Sequence, residues 1–232
     1  YLQIMYRNED FMLQLSHVKK IYDKTEVLSD ISYTFEEGRL YPILGGAGAG
    51  RTTLFECICG DLTTDGGTVV SEEKADLFFA AKQSVLPMYI SGEEFIRYLC
   101  EFQREAQQPE VYLDRVKLDK TVRGRLICEY TFEDKKRLQL AAFLVQRPHV
   151  ILFDEPLDYC SEEYIDTFLE VLGEESKGHV VLISTGILNM ARRIAPDILV
   201  LNNGELNEVA ADMIDIPEIK RAILDILGEL EE

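Results

Sequence analysis

The stretch Gly45-Gly46-Ala47-Gly48-Ala49-Gly50-Arg51-Thr52-Thr53 limits what this chain can fold into more than any other. The apolar run Leu40-Tyr41-Pro42-Ile43-Leu44 precedes it, and Leu54-Phe55-Glu56-Cys57-Ile58 follows. Extended run, glycine-rich turn and helix start, in that order, make the frame of a phosphate-binding loop. Glycines let the backbone turn tightly enough to aim successive N–H groups at one anion, and the helix N-terminus adds partial positive charge. Thr52 stands where a hydroxyl ligates Mg²⁺ beside the β- and γ-phosphates, but the pattern has Lys just before it and this chain has Arg51. Taken alone, the stretch fits a plain strand–helix connection in an α/β domain equally well. The rest of the chain decides.

Apolar runs recur downstream in alternation with helical patterns. Asp76-Leu77-Phe78-Phe79-Ala80, Val150-Ile151-Leu152-Phe153 and Val180-Val181-Leu182-Ile183-Ser184 read as buried strands. Upstream, Leu13–Val18 and Val27–Phe35 alternate as half-buried strands do, and Thr68-Val69-Val70 follows the turn Asp65-Gly66-Gly67. Ser91 with Glu94 is a capping box for a helix carrying Phe95, Ile96, Leu99 and Phe102. Residues 106–128 are more polar, carry Pro109, and suggest a small helical insert rather than core. A helix from about Phe132 to Val145, apolar on one side, stops at Pro148. Tyr164 to Leu172 is an amphipathic helix that Gly173 would cap, and Asn202-Asn203-Gly204 is a hairpin turn. Asp215-Ile216-Pro217 opens a final helix with Ile219, Ile223, Ile226 and Leu227.

The expected fold is therefore α/β, with a mostly parallel sheet covered on both faces. An antiparallel N-terminal part and a helical insert at about 90–146 complete it. Residues 1–232 form one domain in this reading, with about 1–11 a peripheral extension and about 215–232 a C-terminal helix.

Charge and cysteine usage narrow the class. Forty-two Asp and Glu against 24 Lys and Arg leave a formal charge of −18, a surface that repels nucleic acid and anionic lipid. The five cysteines form no C-x-x-C pair and the three histidines are scattered, so no metal-site spacing exists. Reduced cysteines point to a cytosolic protein. No apolar run reaches transmembrane length and no secretory signal precedes the fold, so a membrane role would need a second chain to supply the span.

The strand Val150–Phe153 closes in Asp154-Glu155, as does the second motif of phosphate-loop NTPases. Such a strand brings Asp154 to the sheet's carboxyl edge beside the loop, where it can hold Mg²⁺ through water. Glu155 would orient or deprotonate an attacking water. The alternative is that Asp154 only caps the following turn.

With both motifs present, the chain resembles the ATP-binding subunit of ABC transporters from about Met12 to Val209. The resemblance implies ATP and Mg²⁺ as cofactors, held by Gly45 to Thr53, with Thr52, Asp154 and Gln83 at the metal. Tyr22, in Lys20-Ile21-Tyr22-Asp23, matches the aromatic that stacks on adenine; otherwise it is a core tyrosine. Gln83, in Ala81-Lys82-Gln83-Ser84, matches the glutamine that senses Mg²⁺ and couples to the membrane partner. Glu155, Gln83 and Arg51 are the catalytic candidates. The family works as two nucleotide-binding chains clasped on a transmembrane permease subunit, at the inner face of the cell membrane, so those are the implied partners and location.

Departures from the family pattern are concentrated at functional positions. Tyr130-Thr131-Phe132-Glu133-Asp134 stands in place of Leu-Ser-Gly-Gly-Gln, before Lys135-Lys136-Arg137-Leu138. Phe132 and Glu133 add bulk and like charge where glycines let backbone approach the partner's γ-phosphate, so Thr131 with Asp134 reads as a helix cap. Tyr159-Cys160-Ser161 replaces the usual end of the loop after Glu155, and Gly186 replaces the switch histidine. Arginine at 51 keeps the charge but is broader and less adaptable than lysine. These changes imply weak or asymmetric hydrolysis. They leave open whether the pair is a homodimer or a heterodimer, and also a different class: a non-hydrolysing regulatory or interaction module. A soluble small-molecule kinase fits poorly, for lack of a substrate-binding charge cluster.

Overall fold

The structure, a computed structural model, describes residues 12–71 and 77–228. The stretch read as a peripheral extension, residues 1–11, lies outside the described residues, as does Asp76. The chain runs through β1 (Met12–Tyr22), β2 (Thr25–Glu36) and β3 (Leu40–Leu44) to the glycine turn and α1 (Arg51–Cys59). After β4 (Gly66–Ser71) and β5 (Leu77–Ala80) comes a helical stretch: α2 (Gly92–Glu101), α3 (Pro109–Arg115), α4 (Lys120–Arg123) and α5 (Phe132–Gln146). Then β6 (Val150–Phe153), α6 (Glu162–Glu175), β7 (Val180–Thr185), α7 (Leu188–Ile194) and β8 (Ile198–Asn202) alternate. β9 (Glu205–Val209), α8 (Ala211–Ile214) and α9 (Pro217–Leu227) finish the described chain.

Six strands form one sheet in the order β5-β6-β7-β3-β8-β9, parallel except for the β8–β9 hairpin. A separate antiparallel sheet has the order β2-β1-β4. The unbroken apolar runs of β6 and β7 follow from burial on both faces, since successive residues point to opposite sides. Ile151, Phe153, Val181 and Ile183 pack towards α5 and α6, with Phe153 and Phe168 edge-on at 5.0 Å. Val150, Leu152, Val180 and Leu182 pack the other way, on Leu13, Leu15 and Phe35 of the antiparallel sheet and Leu54 and Phe55 of α1. Pro42 is tolerated in this interior strand because β8 joins β3 only from Ile43 onward, so that side of Pro42 has no ladder partner. Among the described residues no helix is long and apolar enough to cross a membrane.

Several expectations need correction. Residues 106–128 are not peripheral: Leu113, Val116, Leu118 and Ile127 are fully buried in the main core, and Pro109 sits at the start of α3, where its missing N–H costs nothing. α5 is buried on every side from Lys136 to Val145, because the helical stretch wraps the face that would otherwise meet water. Gly173 does not end α6; nothing there requires a left-handed turn, and the helix runs on to Glu175. Asp215 does not cap α9 but accepts from both Arg192 guanidinium nitrogens at 3.0 and 3.2 Å. α7, with Leu188, Ala191 and Ile194 buried, had no strong pattern in so short a segment.

The capping box at Ser91 and Glu94 is present, and it seats Gly92 directly on Tyr130. A Cβ at 92 would lie 2.1 Å from the Tyr130 hydroxyl, which itself donates to the Arg123 carbonyl. Gly92→Ala is expected to cost about 1–3 kcal/mol by overpacking. For a domain of this size that lowers the melting temperature by roughly 2–4 °C per kcal/mol, as calorimetry would register.

Candidate functional site

β3 and β6 run parallel on either side of β7, so their carboxyl ends emerge at the same edge of the sheet. The glycine turn leaves β3 with the Gly45 N–H on the Thr185 carbonyl at 3.2 Å and closes with the Ala49 N–H on Gly46 O at 3.1 Å. Gly50 is the N-cap of α1 in a left-handed conformation, φ 99°, and a Cβ there would come within 2.9 Å of Val27. Gly46 is pinned from outside: a Cβ would lie 2.6 Å from the carbonyl oxygen of Ile226, so the end of α9 touches the turn backbone to backbone. Residues 47–53, with Val27, Lys82 and Glu155, line a cleft of about 380 Å³.

Both halves of the site converge. Asp154 is fully buried, and its two oxygens accept from the Thr52 hydroxyl at 2.8 Å and the Ser184 hydroxyl at 2.6 Å. The Ser184 oxygen in turn accepts from the Glu155 N–H at 2.8 Å. Asp154 therefore does more than cap a turn: it ties the loop helix to β6 and β7. Ser184, at the end of β7, was not singled out from sequence, and only the strand order shows why a hydroxyl there matters.

Glu155 holds two cations. Arg51 donates to one carboxylate oxygen from Nη2 at 2.7 Å, and Lys82 contacts the other through Nζ. Arg51 is only 9% exposed, and its Nη1 is buried with no hydrogen-bond partner among the described residues. A Cβ at Gly186 would stand 3.3 Å from that nitrogen. The broad guanidinium of Arg51 thus fills space that a side chain at 186 would need, which joins two of the departures into one.

Tyr22, Gln83 and the signature segment lie away from this knot. Tyr22 ends β1 and is 42% exposed, so it is not a core tyrosine; Lys20 Nζ stands 5.5 Å from the ring centre. Gln83 is exposed and outside the cleft lining, although Lys82 beside it is part of that lining. The loop carrying both is braced by α5: buried Lys136 donates to the Lys82 carbonyl at 3.1 Å, and the Ser84 hydroxyl donates to Gln139 at 2.9 Å. Thr131 and Asp134 form a reciprocal cap on α5, as read from the sequence. The like charge expected from Glu133 is already met internally. Its carboxylate accepts from Arg137 at 2.9 Å and from the Ser161 N–H and hydroxyl at 2.7 and 3.0 Å.

Charge in the cleft is finely set. Burial alone would raise the Glu155 carboxyl, but the Lys82 contact and the Arg51 charge outweigh it and hold it below its ordinary range. Asp158 moves the other way: burial, then the Glu155 charge beside it, pushes it up to about 6. One of its oxygens is buried without a hydrogen-bond partner. A carboxyl whose folded pKa exceeds its ordinary 3.8 weakens the fold as pH rises from about 4 to about 6, because only the unfolded chain ionises it freely. Asp158→Asn is accordingly expected to raise the melting temperature at pH 7.5 and to leave it unchanged near pH 4, with neither nucleotide nor metal added.

Comparison with known proteins gives the family by two routes and the fold by a third. The profile of the ABC transporter family matches residues 28–158. The tungstate uptake system ATP-binding protein TupC of Peptoclostridium acidaminophilum is 30% identical over 209 residues, covering 84% of this chain and 97% of that protein. The glutamine transport ATP-binding protein GlnQ of Bacillus subtilis is 26% identical, covering 92% and 97%. Among solved structures, an ATP-binding subunit of an ABC transporter superposes with a TM-score of 0.80 at 19% identity, covering 91% of this chain and 99% of that one. The dimeric cassette MJ0796 bound to ADP and Pi superposes with a TM-score of 0.73 at 20% identity, covering 86% and 98%. On the extent of the profile match and the TupC identity, the chain belongs to the ABC transporter family, as an ATP-binding subunit.

Proposed function

We propose that the chain binds Mg-ATP between its glycine turn and its acidic pair, and that it passes the resulting motion to a separate transmembrane permease while paired with a second nucleotide-binding chain. The observation that carries this reading is the double link across the cleft, Thr52 to Asp154 and Arg51 to Glu155. In the proposal, backbone N–H groups of residues 45–53 cradle the phosphates, and Arg51 supplies the positive charge that lysine gives elsewhere. The exposed Tyr22 ring offers a stacking face for adenine.

The residues fit Mg²⁺ of the kind bound mainly by phosphate oxygens and water. One hydroxyl and one carboxylate meet at 2.8 Å, and among the described residues no cluster of acidic, His or Cys side chains competes to cage an ion. Thr52 and Asp154 would hold it, with Gln83 approaching from the loop after β5. A metal held by these residues would supply positive charge that neutralises the phosphates. Glu155 would orient the attacking water and accept its proton.

Hydrolysis in this reading is slow or confined to one of two sites. Glu155 is neutralised by two cations and is a poor base while they hold it. Glu133 and Ser161 are bound to each other, which removes the flexible glycine approach that a partner's phosphate would need. In a homodimer both sites carry every departure; in a heterodimer Arg51 and Gly186 fall in one site and Phe132 and Glu133 in the other. The same two observations support the second reading, a non-hydrolysing regulatory module. TupC and GlnQ are named for transport systems and MJ0796 is described as dimeric, which supports the permease and the paired chain as partners. The working place would be the cytoplasmic face of the membrane.

A titration with Mg-ATP and a phosphate-release assay, each with and without the permease, tests the proposal. Saturable binding with turnover that rises in the permease complex is the expected outcome. Binding without turnover in any combination favours the regulatory module, and no binding removes both.

A further inference from the structure

The loop after β5 brings a cation into the cleft that no part of the family pattern assigns. Lys82 forms one wall of the cleft, whose other walls include the turn at Gly48 to Gly50 and Glu155. Its ammonium and the Arg51 guanidinium take the two oxygens of a single carboxylate. Two cations thus converge on one carboxylate at the wall of the cleft, with Asp154 and Asp158 the other acids within electrostatic range.

The two cations differ in freedom. Arg51 is buried, fixed at the first residue of α1, and has one guanidinium nitrogen with no partner, hard against Gly186. Lys82 is 54% exposed along its side chain, while its backbone is anchored by Lys136. A lysine ammonium is a compact charge on a flexible stem, able to follow a ligand through a change of partner. Arginine in the loop cannot do that; lysine on the facing wall can.

Building on the nucleotide-binding reading above, we propose that Lys82 is a phosphate-binding residue, forming with Arg51 a two-cation fork for the terminal phosphate of a nucleoside triphosphate. Before nucleotide enters, Glu155 holds both prongs of the fork in place. When phosphate oxygens take the cations over, Glu155 is released. The exchange keeps each positive charge partnered throughout, and so avoids leaving Arg51 buried and unpaired. It also makes the freeing of Glu155 conditional on a terminal phosphate.

The test is fluorescence titration with mant-ATP and mant-ADP, both with Mg²⁺, on the full chain and on Lys82→Ala and Lys82→Arg. Lys82→Ala is expected to weaken mant-ATP about tenfold, the loss of one charge-assisted hydrogen bond, while leaving mant-ADP nearly unchanged. Lys82→Arg should recover most of the difference. The melting temperature of nucleotide-free protein reports whether the variants fold, and an exposed side chain gives no reason for failure. An equal loss for both nucleotides, no loss, or tighter mant-ATP in Lys82→Ala would overturn the fork and leave Lys82 a mere counterion of Glu155. Failure of the unmutated chain to bind either nucleotide would instead sink the nucleotide-binding reading itself.

Discussion

Glu155→Gln is expected to lower ATP turnover by about 10²–10⁴, the usual contribution of a positioned general base. The amide keeps an acceptor for the Arg51 guanidinium but removes the charge that both cations share. Arg51 is buried, so the fold without nucleotide should lose stability: breaking a buried pair costs about 3–5 kcal/mol when one partner is removed outright, and a retained acceptor should keep the loss below that. Affinity for Mg-ATP should rise, because the cations no longer have to leave a carboxylate before meeting phosphate. The three readouts are a phosphate-release assay, a thermal melt and a nucleotide titration. A variant that hydrolyses at the parent rate would remove Glu155 from the chemistry altogether.

Asp154→Ala should act through a different route and to a similar extent. The carboxylate joins Thr52 on α1 to Ser184 on β7, and Ser184 in turn holds the Glu155 backbone, so removing it loosens the loop and the base together. It also removes the proposed carboxylate for Mg²⁺, and charge stabilisation by a bound metal supplies several kcal/mol, so a turnover loss of about 10³ is expected. The distinguishing measurement is metal dependence. In the parent chain, EDTA should weaken ATP binding; in Asp154→Ala, binding should already be weak and EDTA should change it little.

Much of this arrangement was legible in the residues. The apolar run Val150 to Phe153 could only be a strand buried on both faces, and a strand must end somewhere, so the acid that follows was bound to reach the sheet's edge. The capping boxes at Ser91 and Thr131 were readable because both members of each pair are local in sequence. What escaped was set by distant neighbours. Nothing local tells that α5 is enclosed on all sides, or that Asp215 prefers Arg192 to the helix it precedes. Lys82 went unassigned because its partner is far along the chain, and the glutamine beside it matched a known pattern. Arg51 and Gly186 read as two separate defects in the sequence, but in the fold the guanidinium fills the room a side chain at 186 would occupy.

The contact between Gly46 and the Ile226 carbonyl bears on how the protein refolds. The turn is buttressed by a segment far along the chain, and long-range contacts of this kind are slow to form. Refolding from denaturant should therefore restore the sheet before it restores nucleotide binding, a lag that stopped-flow mant-ATP fluorescence would register.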